Sequence, residues 1–305
     1  MTGYIFLAIT VFIGVSKGYC GKKSSTYING ITDGLIMQAM RLILCVVIGA
    51  VLFAFNNSTQ IDFTVVLISL LNGTANAVFL LSWLFAVKKG AYLFVDICLT
   101  SGGILIPCIL SSLLFGDKIT ALQYIGIIIM LIAVFVMNGY NSAITKKKIK
   151  YTEILLLLCV AISNGLMGFC EKYFSHHIKN TVLNCDLSVF SLMSFAFAAI
   201  ILLAAIFLIC TKNKCNIINV AKTFPLKQLW IYILLISALL FFDSYFTTLT
   251  NTFISNTVLI YPLKFGSNLI LSAIMAATLF KEKINLQSVL GMFLITVSIV
   301  FINVI

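Results

Sequence analysis

Leu114-Phe115-Gly116-Asp117-Lys118-Ile119-Thr120 precedes an apolar run containing Gly126. Leu279-Phe280-Lys281-Glu282-Lys283-Ile284-Asn285 precedes another, with Gly291 in the equivalent place. In both copies an acid-Lys-Ile turn joins two long hydrophobic segments, and the second segment ends its half of the chain. A phrase repeated at this distance marks an internal duplication. The chain reads as two copies of one membrane-embedded unit.

Composition points the same way. Of 305 residues, 61% are hydrophobic and 10% charged, and the mean hydropathy is +1.13, outside the range of a soluble domain. Apolar stretches of about 18–25 residues recur throughout, each long enough to cross a ~30 Å hydrocarbon core as a helix. The spans fall at 4–20, 33–54, 62–86, 91–115 and 120–139, then at 152–172, 187–210, 229–251, 256–280 and 285–304. The runs are continuous, not alternating, which excludes a transmembrane β-barrel. Residues 4–20 lack a basic leader and are read as a retained first helix.

The expected fold is therefore an all-α integral membrane protein of ten transmembrane helices arranged as two inverted five-helix repeats. Residues 1–140 form the first repeat, 141–151 a basic linker and 152–305 the second. An odd number of helices per half makes the halves enter the membrane from opposite sides. Gly18-Tyr19-Cys20-x-Lys22 in the first helix matches Gly168-Phe169-Cys170-x-Lys172 in the sixth, in keeping with that pairing.

This layout, each half closing on an acid-basic-Ile turn and a glycine-containing last helix, resembles the EamA-type branch of the drug/metabolite transporter superfamily. The resemblance covers essentially the whole chain, and Arg41 resembles the basic residue frequent in the second helix of that family. Lys281 stands where the family has a turn glycine, and the proline-centred signature of the fourth helix is poorly matched. The resemblance implies a secondary transporter working by alternating access. Helices one to four and six to nine would surround a central cavity, with five and ten peripheral.

Ionisable groups deep in the membrane carry the functional expectation, because each costs roughly 2.5–3.5 kcal/mol to insert and so faces a cavity or a partner. Arg41, Asp96, Asp243 and Lys264 are of this kind. Asp243 and Lys264 lie near the middle of adjacent spans and are placed to pair; Asp96 could pair with Arg41 or meet substrate. The alternative is a set of buried ion pairs that only fix helix packing. Asn72, Asn76, Tyr92, Tyr245, Tyr261 and Asn268 form a second set of substrate-binding candidates, with helix bridging as the commoner use of such groups. Ser69, Gly73 and Ala77 form a small-residue packing stripe. Pro107 and Pro262 interrupt the fourth and ninth spans.

Other signals weigh less. Nine cysteines, without a CxxC pair, read as compact apolar residues. His176 and His177 are expected in a solvated loop. Gly14-Val15-Ser16-Lys17-Gly18 spells GxSxG but lies in a helix, without the strand-turn-helix setting of a nucleophile elbow. The nearby Gly21-Lys22 lacks the rest of a phosphate-binding loop. No enzyme activity, cofactor or metal site is expected.

The net charge of +11 is almost all lysine at helix ends, a topology signal and not a nucleic-acid one. Odd loops hold Lys22, Lys23, Lys88, Lys89, Lys146, Lys147, Lys148 and others; even loops hold only Lys118, Lys172 and Lys179. The bias places odd loops in the cytoplasm and both termini outside, whereas members of the resembled family generally keep both termini inside. The expected function is transport of a small polar or amphipathic metabolite, such as an amino acid, a nucleoside or sugar derivative or a drug-like compound. Proton coupling and substrate exchange are both open. A lipid-carrier flippase and a non-transporting scaffold or sensor are the alternatives. The expected partners are the substrate and the bilayer, with no nucleic acid, in a multi-pass monomer or homodimer of a bacterial plasma membrane.

Overall fold

The computed structural model describes residues 2–28, 30–55, 60–88, 92–142, 151–181, 183, 185–212, 224–254, 256–279 and 286–303. Among them run ten helices: α1 (Thr2–Ser25), α2 (Ile31–Ala54), α3 (Phe63–Lys88), α4 (Tyr92–Phe115), α5 (Ala121–Ser142), α6 (Tyr151–Thr181), α7 (Leu187–Lys212), α8 (Leu226–Phe253), α9 (Thr257–Leu279) and α10 (Leu286–Asn303). Eight of them are long and apolar enough to cross a membrane, and α5 and α10 hold shorter apolar stretches. Backbone groups in hydrocarbon must be satisfied within the segment, which is why runs this apolar fold as helices. The protein is a helical, multi-pass membrane protein.

Two helices outrun their expected spans. The reading from sequence stops at the first charges, near 20 and 172, but α1 continues to Ser25 and α6 to Thr181. This corrects the expected placement of His176 and His177, which lie on the last turns of α6 and not in a loop. The extension is held by partners that local pattern does not reveal: His177 Nε2 lies 2.6 Å from Asp62 Oδ2, at the start of α3.

Helix α5 lies along α10. Helix α4 packs on α6, and α1 on α9; α3 packs on α6, and α1 on α8; α3 packs on α7, and α2 on α8. Small residues set the closest of these approaches, as expected where dispersion and not the hydrophobic effect joins helices. At the α4–α6 contact a β-carbon on Gly102 would lie 2.2 Å from the Ala161 carbonyl oxygen, and one on Gly165 would lie 2.5 Å from that of Gly102. Between α5 and α10, Ser298 Oγ donates to the Gly126 carbonyl at 2.7 Å. Outside, large apolar side chains such as Ile128, Phe135, Phe207, Leu208 and Phe293 are more than half exposed, a surface that suits lipid and not water.

The first copy of the repeated phrase is a joint between helices. Gly116, just past the end of α4, has φ +69°, the left-handed conformation that lets glycine end a helix. The turn then carries Asp117 to the start of α9, where its Oδ2 accepts from Thr257 N at 3.2 Å and Thr257 Oγ1 at 2.7 Å. A carboxylate there satisfies free N–H groups and complements the helix dipole. Lys172 of α6 stands 3.9 Å from the same oxygen. Most of the second copy, residues 280–285, lies outside the described residues.

Candidate functional site

The polar interior is built by three helix faces. On α6, Gly168, Glu171 and Ser175 recur at a three-to-four-residue spacing and share one face. On α8, Asp243, Ser244, Thr247, Thr248 and Asn251 do the same. These faces meet: Ser244 Oγ donates to Glu171 Oε1 at 2.9 Å, and Ser175 Oγ donates to the Thr248 carbonyl at 2.9 Å. Helix α9 closes the site with Tyr261, Lys264 and Asn268. The Tyr261 hydroxyl donates to the Gly168 carbonyl and accepts from Asn251 Nδ2 at 3.3 Å.

At the centre Asp243 is held between two lysines. Lys17 of α1 donates to Oδ2 at 2.6 Å, and Lys264 stands 2.9 Å from Oδ1 in ion-pair contact, without the alignment of a hydrogen bond. Lys264 also donates to Thr247 Oγ1 at 2.6 Å. The expected Asp243–Lys264 pair thus forms, and Lys17 joins it from a position the sequence reading took as the end of a span. Glu171, also missed, has a different environment. Its carboxylate is buried and receives the Ser244 hydroxyl, with no cation in ion-pair contact among the described residues. The available signal for Glu171 was its spacing from Gly168 and Ser175 within a run that stays aromatic and apolar at Phe169, Tyr173 and Phe174.

Arg41, on α2, is partly buried. Its Nη1 donates to Gln38 Oε1 at 3.2 Å and its Nη2 to Met37 Sδ at 3.5 Å. Its Nε is buried without a partner. Asn72 and Asn76 are buried on α3, and Asn72 Oδ1 has no hydrogen-bond partner. Asn268 is brought against α1 at Gly14, with Oδ1 unpartnered. Tyr245 belongs to an aromatic ladder on α8, with its ring 5.7 Å from that of Phe246 and 6.5 Å from that of Phe241. The side chains of Tyr92 and Asp96 lie outside the described residues, and with them the expected Asp96–Arg41 pair.

A cavity of about 250 Å³ opens at the end of the bundle where α4 and α6 finish, lined among others by Phe115, Asp117, Lys172, Ser175, His176 and Asn251. His176 lies against Phe115 with ring centroids 4.2 Å apart. Its wall is one layer from the interior: Asn251 touches Tyr261, and Ser175 is one turn from Glu171. An isolated charge buried in such a bundle is penalised by several kcal/mol unless paired. The arrangement gives Asp243 two cations in ion-pair contact and leaves Arg41 and Glu171 hydrogen-bonded to neutral groups.

The sequence matches no protein-family model and no curated protein sequence. The fold does have counterparts, with 27 chains of solved structures matching it. One is the crystal structure of a protein 12% identical in sequence, superposing with a TM-score of 0.73 over 99% of this chain and 96% of that one. At that identity the likeness is one of fold.

Proposed function

We propose that the chain is a secondary transporter of EamA type that moves a small polar or amphipathic metabolite by alternating access of two inverted halves. The observation that carries this reading is the set Lys17, Asp243, Lys264 and Glu171, contributed by four helices from both halves of a membrane bundle, with Lys264 and Glu171 buried and Asp243 and Lys17 partly so. Intramembrane charge of this kind is costly and marks substrate or ion paths. The packing pattern supports the two-repeat arrangement. Exchanging the first five helices for the last five turns the α1–α8 contact into α6–α3, α4–α6 into α9–α1 and α3–α7 into α8–α2, and leaves α5–α10 unchanged. All of these contacts are present, as a pseudo-twofold axis requires.

Among the carboxylates, Glu171 suits proton coupling better than Asp243. Asp243 is in ion-pair contact with two lysines, whereas Glu171 has one hydroxyl donor, so a proton exchanged at Glu171 breaks no ion pair among the described residues. The non-transporting reading draws its support from the same saturation of Asp243, since a satisfied triad also serves as a helix clamp. We read the chain as a carrier and not an enzyme.

Thermal melting of the purified protein against a metabolite panel at two pH values, with Asp243→Asn and Lys264→Ala alongside, separates the two. A ligand that binds only the folded state raises its stability by mass action. Transport predicts a stabilising compound whose effect both variants lose. A clamp predicts no stabilising compound and two variants that are merely less stable.

A further inference from the structure

The chain has one arginine among its many lysines, and it sits near the middle of α2. Three lysines of the bundle have carboxylates: Lys17 and Lys264 share Asp243, and Lys172 faces Asp117. Arg41 has none within ion-pair distance among the described residues. Its neighbours are neutral: Gln38 on Nη1, the Met37 thioether on Nη2 and the Cys20 and Cys45 thiols nearby. A thioether is a weak acceptor. Nε and Nη2 form the side edge of the guanidinium, the pair of parallel donors that grips both oxygens of a carboxylate or phosphate. That edge is the one left without an oxygen acceptor.

The surroundings of Arg41 are apolar. Met37 belongs to an apolar cluster with Cys20 of α1 and Leu229, Ile233 and Ile236 of α8. The Cys45 thiol donates to the Ser237 carbonyl of α8 at 3.3 Å and lies within electrostatic reach of both Arg41 and Lys17. Cys45 therefore joins the neighbourhood of Arg41 to that of Lys17, which is in ion-pair contact with Asp243. Among the described residues, Arg41 is the one of the three cations Arg41, Lys17 and Lys264 without a carboxylate in ion-pair contact.

We propose that Arg41 receives the oxyanion of the transported metabolite, which makes the substrate class small organic anions bearing a carboxylate or a phosphate. The inference rests on the transport reading. Met37, long, unbranched and flexible, holds the Nη2 prong in the absence of ligand and swings aside when the α1–α2–α8 apolar seal parts. Arginine serves here where lysine would not, because only the planar fork offers two aligned donors from one side chain.

The test is uptake and counterflow in liposomes of phosphatidylcholine alone, which removes lipids of net negative charge as competitors for Arg41. Four sets of labelled probes are compared: carboxylates (succinate, glutamate), phosphates (glycerol 3-phosphate, inorganic phosphate), neutral compounds (thymidine, glucose) and cations (putrescine, choline). Saturable transport confined to an anionic set is expected, and which set is carried distinguishes carboxylate from phosphate. Arg41→Gln is expected to raise the half-saturation concentration roughly 100-fold, the scale of losing one partner of a buried charged hydrogen bond. Arg41→Lys should recover part of it. Gln38→Glu guards against a folding defect: it places a competing carboxylate beside Nη1, so it should melt no lower than wild type yet weaken uptake of the same anion. Saturable transport of a neutral or cationic probe, unchanged in Arg41→Gln and Gln38→Glu, overturns the assignment and leaves the transport reading standing. Absence of transport for every set overturns the transport reading, and the assignment with it.

Discussion

Gly14 of α1 and Asn268 of α9 compete for one space: a β-carbon on Gly14 would lie 2.3 Å from Asn268 Nδ2 and 2.8 Å from its Oδ1. The GxSxG phrase is therefore a notch for a polar side chain of a neighbouring helix. The atoms in the way are the end of a rotatable group, so Gly14→Ala should turn the amide aside instead of prising α1 from α9. The expected loss is about 1 kcal/mol, at the low end for overpacking, read as a lower melting temperature. Adding Asn268→Ala should restore most of it, because the clash then has no second partner.

Removing Asp243 should cost more than removing either lysine. Asp243→Asn leaves Lys17 and Lys264 without their carboxylate, and breaking a buried pair from one side typically costs about 3–5 kcal/mol. The two lysines are not equal. The Lys264 side chain is 11% exposed and that of Lys17 32%, and Lys264 also holds Thr247. Lys264→Ala should therefore lower the melting temperature more than Lys17→Ala. A Lys17→Met, Asp243→Asn double variant should melt above Asp243→Asn alone, since one unpaired cation has gone.

The residues legible in the sequence were those whose signal is local. Asp243, Lys264 and Tyr261 stand out as polar groups inside long apolar runs, and the ten apolar runs match ten helices. Lys17 and Glu171 were not legible because hydropathy falls around them, and a fall in hydropathy reads as a membrane boundary. They lie inside helices because each finds a partner, Lys17 at Asp243 and Glu171 at Ser244, far away in sequence. His176 and His177 were misplaced for the same reason. The joint formed by Asp117 was half legible: its phrase announced a turn, but nothing nearby in sequence says that the carboxylate caps α9 at Thr257.

Tyr261 ties three helices with one hydroxyl, donating to Gly168 of α6 and accepting from Asn251 of α8. Its ring also fills the space above Gly168, where a β-carbon would lie 2.8 Å from the ring edge. Tyr261→Phe keeps the ring and deletes the ties, leaving a buried carbonyl and a buried amide short of a partner. A cost of about 1–3 kcal/mol is expected, seen as a lower melting temperature. Because Asn251 also lines the cavity, hydrogen exchange should rise at the C-terminal turns of α6 and α8 before it rises elsewhere. Uniform loosening would mean that the hydroxyl has no local role.

Asp62 ends the loop before α3, and its Oδ1 accepts from Val65 N at 2.8 Å while Oδ2 meets His177 of α6. Partial burial pushes this carboxyl up, but the Val65 N–H and the His177 imidazole outweigh it and hold it below the usual 3.8. A carboxylate depressed in the folded state adds stability that is present above its unfolded value and is lost as pH falls through the folded one. Asp62→Asn keeps a capping oxygen and removes the charge. With the carboxylate about a third exposed, the wild-type advantage over Asp62→Asn should be modest, on the order of 0.2–1 kcal/mol as for exposed pairs. It should hold steady down to about pH 5 and vanish as pH drops below 3.8. Melting curves of the two proteins across that range decide it. An advantage that instead grows on acidification would mean the carboxyl is favoured in its protonated form, and that the tie between α3 and α6 is a neutral hydrogen bond.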